Sequence, residues 1–90
     1  MATNTFADAA RSYGLLGGEV KYMGRILDRI GDKPVDQITP GEIKFLAQDL
    51  FPTAKNSTRN RHVLTPCRAV LNHAHELGWC PWVRIRSLRN

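Results

Sequence analysis

Ser57-Thr-Arg-Asn-Arg-His-Val-Leu-Thr-Pro-Cys-Arg-Ala-Val-Leu-Asn-His-Ala-His-Glu-Leu-Gly78 decides the fold of this chain, because a proline stands inside it. Val63, Cys67, Val70, Leu71, Ala74 and Leu77 recur at helical intervals on both sides of Pro66. A stripe that stays in phase across a proline predicts one helix, from about Thr58 to Leu77. Ser57 or Asn56 caps its start, and Gly78 closes it. Pro66 removes one backbone hydrogen bond, so a kink is expected near Arg61–Thr65.

Working outward, the remaining apolar spacing is helical as well. A first helix runs from about Phe6 to Leu16. Thr5 is its cap, Asp8 the acidic residue near its positive end, and Phe6, Ala9, Ala10, Tyr13 and Leu16 its stripe. Gly17-Gly18 breaks it. A second runs from about Glu19 to Ile30, with Met23, Ile26, Leu27 and Ile30 apolar and Gly31 as a left-handed cap. Gly24, costly inside a helix, suggests close packing against a neighbour. A third begins at the capping box Thr39-Pro-Gly-Glu42, with Pro40 at the first helical position and Ile38 stapling onto Ile43. It buries Ile43, Leu46, Ala47 and Leu50 and stops at Pro52. The fold class is therefore all-α, with four helices and no sheet.

Ninety residues make one small domain, and 42% hydrophobic residues make it globular. No apolar run approaches the roughly 20 residues that span a bilayer. Residues 1–8 have neither the basic nor the apolar region of a signal peptide, and two cysteines make no disulfide framework. The expectation is a cytosolic, reduced chain. The abrupt basic end, Val83-Arg-Ile-Arg-Ser-Leu-Arg-Asn90, suggests a fragment of a longer protein.

Charge is divided unevenly. Residues 1–54 hold six basic and seven acidic side chains; residues 55–90 hold seven basic side chains and one acid, Glu76. That asymmetry suggests a polyanionic partner, most often nucleic acid, although a solvated basic helix face would read the same way. At about 100° per residue from Val63, the face opposite the core carries Arg61, Thr65, Arg68 and Asn72, all able to bond phosphate oxygens. Arg59 and Asn60 fall in the first turn, where unpaired backbone N–H groups also favour an anion.

Other chemistries find little support. His73 and His75 point about 200° apart on a helix, and Cys67 and Cys80 lack a short-spaced partner, so no metal site is expected. Cys67 fits the buried stripe as a small hydrophobe. His62 is first an ordinary surface histidine, with a phosphate contact as the alternative. Trp79 and Trp82 are expected to pack the helix end, and Tyr13 and Tyr22 to pack at the core or its boundary. No catalytic motif and no Gly-rich phosphate loop is present, and no cofactor is implied.

The order of these signals is informative beyond each one. Phe6-Ala-Asp-Ala-Ala-Arg-Ser-Tyr13, Tyr22-Met-Gly-Arg-Ile-Leu-Asp-Arg-Ile-Gly31, Lys33-Pro-Val-Asp-Gln-Ile-Thr-Pro-Gly-Glu-Ile43, Ser57-Thr-Arg-Asn-Arg-His62 and Ala69-Val-Leu-Asn-His-Ala-His-Glu-Leu-Gly-Trp79 follow one another. Together they closely resemble the core-binding domain of phage integrases, the tyrosine recombinases, over about residues 5–81. The resemblance implies a SAM-like bundle of two packed helical hairpins that clamps recombination-site DNA. It makes residues 1–81 the DNA-binding domain and 82–90 the start of a basic interdomain linker, with the catalytic domain beyond Asn90. By position it implies DNA contacts at Thr58, Arg59, Asn60, Arg61, His62 and Thr65 of the last helix, and at Lys21 and Arg25 of the second. Arg84, Arg86 and Arg89 fall on the linker, which in the family also runs beside DNA. Pro66 departs from the family pattern and leaves the direction of Arg68 and Asn72 open. The partners so implied are double-stranded DNA and other integrase protomers assembled on it. The isolated domain would be a monomer working in the cytoplasm of a bacterial host or encoded by a prophage. The competing readings are a SAM-like protein-interaction module meeting an acidic partner, and a small stand-alone regulator.

Overall fold

Thr5 caps the first helix, α1 (Phe6–Leu15), through a reciprocal box. Its Oγ1 accepts from the Asp8 N–H at 3.2 Å, and Asp8 Oδ2 accepts from the Thr5 N–H at 3.0 Å. The next unpaired amides, those of Phe6 and Ala7, donate to the carbonyls of Lys33 and Gly31, both at 2.9 Å. The loop that follows the second helix thus seals the start of the first. At the other end Gly17 adopts φ +93°, and the Gly18 N–H reaches the Tyr13 carbonyl at 2.8 Å in a Schellman closure. Leu16, expected on the buried stripe, is the cap residue and is 72% exposed.

The computed structural model describes residues 4–18 and 23–89. The expected beginning of the second helix at Glu19, together with Lys21 and Tyr22, lies outside them. What is described is α2 (Met23–Ile30), which buries Met23, Ile26 and Ile30 as its spacing predicts. Two glycines differ from expectation. Gly31 does not have a positive φ; a Cβ there would instead stand 2.5 Å from the Leu27 carbonyl oxygen. Among the described residues a Cβ at Gly24 would meet nothing within 4 Å, so no close approach by them requires the glycine.

A 3₁₀ turn (Val35–Gln37) leads into α3 (Pro40–Leu50). Thr39 Oγ1 accepts from the Glu42 N–H at 3.2 Å, which is half of the expected box. The other half is absent because the Glu42 carboxylate pairs with Lys33 instead. Ile38 and Ile43, on either side of the cap, are both buried, as a staple requires.

The last helix begins two residues earlier than expected, as α4 (Asn56–Arg59), with Lys55 in the cap position and no side-chain cap. It passes without a break through a π turn (Asn60–Leu64) into α5 (Thr65–Glu76). The turn lies where the sequence places the disturbance from Pro66. Proline has no N–H to donate one turn back, and the Thr65 N–H bonds the Asn60 carbonyl five residues before it. Val63 and Leu64 are both fully buried, as the consecutive Val70 and Leu71 are in the regular part of α5. Leu64 is in phase with Cys67, Leu71 and Ala74 but absent from the expected stripe, and its burial is worth about 1.5–3 kcal/mol. Gly78, at φ +79°, closes α5 in a second Schellman motif, its N–H on the His75 carbonyl and that of Trp79 on the Ala74 carbonyl. Leu77, expected in the core, is 41% exposed.

Among the described residues these pieces make an all-α bundle of four helices. α1 packs on α2, α2 on α3, α3 on the π turn, and α5 back on α1. Two chain-adjacent pairs therefore close on each other around Phe6, Ile26, Ile43, Leu64 and Val70. The Cα radius of gyration, 12.3 Å, matches the value of about 12 Å for a compact chain of this length. Among the described residues no helix is long and apolar enough to cross a membrane. Beyond Gly78, Trp79 packs on the core while Trp82 stays 60% exposed, against the expectation that both pack. Residues 81–89 then form neither helix nor strand, with Ile85 buried.

Candidate nucleic-acid interface

The chain's arginines divide into those bonded to its own backbone and those left on the surface. Arg59 belongs to the first kind. Its Nε donates to the Phe51 carbonyl at 2.9 Å, one Nη to the Pro52 carbonyl at 3.0 Å and the other to Asn56 Oδ1 at 3.0 Å. Beyond the end of α3, the Pro52 carbonyl gains its donor in this way, and the Phe51 carbonyl, which also takes the Ala54 N–H, gains a second. Arg68 belongs there too. Nε and Nη2 donate to the Ile85 carbonyl at 3.0 and 2.7 Å, and Nη2 also reaches Ser87 Oγ at 3.3 Å.

Asn60 is likewise committed, its side-chain amide holding the Leu88 backbone through two hydrogen bonds. Because the helix starts at Asn56, the Asn60 N–H lies inside it, bonded toward the Asn56 and Ser57 carbonyls. Thr58 and Arg59 donate to the Lys55 carbonyl. The expectation of unpaired amides at Arg59 and Asn60 is therefore corrected: the helix start lies upstream of them. Thr58 itself is half-buried.

The surface set is different. Arg61, Thr65 and Asn72 are exposed on the last helix, as the phase argument predicts; Arg68, expected with them, is half-buried beneath the chain's end. Arg25 of α2 is exposed and lies with its guanidinium carbon 5.7 Å from the centroid of the Phe51 ring. His62, half-buried, meets the same ring edge-on at 5.4 Å between centroids. Arg25, Phe51 and His62 line one cleft together with Gly24, Ile26 and Leu50. Tertiary packing thus brings the second helix and the early turns of the last helix to a single place. Beside it, Arg25 and Arg29 share a shallower depression with Asp28 and Asp49.

Arg84, Arg86 and Arg89 are exposed on the chain's end and line a broad depression with Lys44 of α3. Sequence reasoning missed Lys44 and Phe51. Neither sits in a motif, and only their proximity to distant residues gives them a role.

The remaining reactive groups are structural. Burial pushes the Cys67 thiol up to about 12, far from a nucleophile at neutral pH. Cys80 is also raised, first by burial and then by the Asp36 carboxylate. His73 bonds Ser12 Oγ at 2.9 Å, and His75 Nδ1 lies 3.0 Å from the Cys80 carbonyl oxygen. Among the described residues no group of three His, Cys, Asp or Glu side chains could hold a metal ion. No family model, no curated protein and no solved structure matches the chain.

Proposed function

We propose that this chain is a duplex-DNA-binding domain of the core-binding kind found in phage integrases and other tyrosine recombinases. In this reading it clamps recombination-site DNA, alongside other protomers, in the cytoplasm of a bacterial host. It has no catalytic role of its own; strand cutting belongs to a separate domain. The observation that carries the reading is the shared cleft of Arg25 and His62, next to the exposed helix face of Arg61 and Thr65. Two segments more than thirty residues apart in sequence would thereby meet one stretch of phosphate backbone. The ordered sequence signals, from the Thr5 cap to Trp79, support the same reading.

The test is a fluorescence-anisotropy titration of a short duplex at several salt concentrations. Binding is expected in the non-specific range of roughly 10⁻⁴–10⁻⁶ M, with a log–log salt slope of about −4 to −5 for five phosphate contacts. Amide shifts are expected at Arg25, Arg61, His62 and Thr65. Shifts confined to α1 and α3, or affinity indifferent to salt, would sink the reading.

A second reading, a helical protein-interaction module, draws support from one observation. Leu15, Leu16, Phe45 and Trp82 are 80%, 72%, 71% and 60% exposed, and DNA binding uses none of them. A protein partner seated on these apolar residues would give amide shifts there and a shallow salt dependence.

A further inference from the structure

We propose that Asn60 and Arg68 are positioning residues, which fasten the chain's end so that Arg84 and Arg86, with Lys44 and Arg89, are held ready for duplex phosphates; this rests on the DNA reading above. Residues 85–89 run back along the last helix in reverse order. Arg68 holds the Ile85 carbonyl, Asn60 holds Leu88, and the Asn56 side-chain amide donates to the Arg89 carbonyl. Ile85 is 4% exposed and anchors the segment in the core. Arg84 and Arg86, on either side of it, are exposed. Both line the depression that also holds Lys44 and Arg89, and no acidic side chain lines it.

The chemistry of the fastening is suited to this use. Arg68 is held by neutral oxygens, not by a carboxylate, so its charge adds to the positive potential beneath the segment. Asn60 fixes the backbone without carrying charge. A loose tail of arginines would have to be ordered each time it met a phosphate. A fastened one has already lost that freedom, which favours binding. The helix residues that looked like phosphate ligands in the sequence thus act at one remove, through the segment they hold.

A double-mutant cycle with a duplex titration, paired with amide exchange in the absence of DNA, tests this. In the parent protein the Leu88 amide should be protected, and Asn60→Ala should expose it. Asn60→Ala changes no charge, yet duplex binding should weaken about two- to tenfold, the factor for re-ordering one or two side chains. Arg84→Ala/Arg86→Ala should lower the magnitude of the salt slope by about 2. In that background Asn60→Ala should cost little more. Arg68→Gln, read in the same cycle, serves if Asn60→Ala does not fold. An equal loss from Asn60→Ala in both backgrounds means that Asn60 meets the duplex directly, and the proposal falls. Fast Leu88 exchange in the parent overturns it whatever DNA does. A parent protein with a protected Leu88 that binds no duplex overturns the DNA reading instead, and removes the ligand named here.

Discussion

The Thr65 amide bonds the Asn60 carbonyl five residues back, immediately before a proline that has no amide to offer. In an α-helix Pro66 would leave the His62 carbonyl unpaired and press its ring against it. Widening one turn lets the helix continue through the proline. It also re-phases the segment upstream. Asn60 comes to the side where the chain's end docks.

Leu64 is fully buried, so Leu64→Ala should behave as a full core truncation, costing about 2–5 kcal/mol. Chemical denaturation of the two proteins decides it, and a loss below about 1 kcal/mol would count against the burial of Leu64.

Arg59 and Arg61, two residues apart, should respond to truncation in opposite ways. Arg59→Ala leaves the Pro52 carbonyl without its donor, and the Phe51 carbonyl with only the Ala54 N–H, and should cost about 1–3 kcal/mol of stability. Its effect on the duplex salt slope should be small. Arg61→Ala, on the exposed face, should cost under about 0.5 kcal/mol and lower the magnitude of that slope by about 1. Melting curves and titrations on the same preparations separate the two roles. A normal melting curve for Arg59→Ala with a reduced slope would return it to the DNA-contacting set.

Glycines 24 and 31 make a second contrasting pair. Gly24→Ala fills open space inside a helix and should raise stability by about 0.5–1 kcal/mol. At Gly31 a methyl group would meet the Leu27 carbonyl oxygen, and the Gly31 carbonyl is also the one that receives the Ala7 amide. Gly31→Ala should lower the melting temperature by several degrees, since about 1 kcal/mol moves a domain of this size by roughly 4–8 °C. Equal melting temperatures for the two variants would refute the assignment.

Alkaline pH should destabilise the fold through Cys67. Its thiol rises from an ordinary 9.0 to about 12 in the folded protein. The folded state therefore holds the proton more tightly than the unfolded state. The contribution is fully present below pH 9 and is lost as pH climbs toward 12, at about 1.4 kcal/mol per pH unit. Denaturation at stepped pH should show a steeper alkaline loss in the parent than in Cys67→Ala, which starts from lower stability but lacks the thiol. Parallel losses would mean that the thiol titrates normally and is not buried.

The helices follow from local sequence. Caps, apolar spacing and punctuating glycines act over three to seven residues, and the Thr5 box, the Thr39 cap and the Gly17 and Gly78 closures form from neighbours in the chain. Even the disturbance at Pro66 was legible, because a missing N–H is a local fact. Where a helical side chain has a distant alternative, local reasoning fails. Glu42 leaves its box for Lys33, Asn56 gives up capping for Arg59 and the chain's end, and Arg68 turns from solvent to the Ile85 carbonyl. Each choice is between partners of similar strength, and only the approach of a segment far along the chain tips it. The candidate site shows the same division. Its basic charge is written in residues 55–90, but which arginines remain on the surface was decided by tertiary structure, because carbonyls after α3 and along the docked end bind guanidinium groups first.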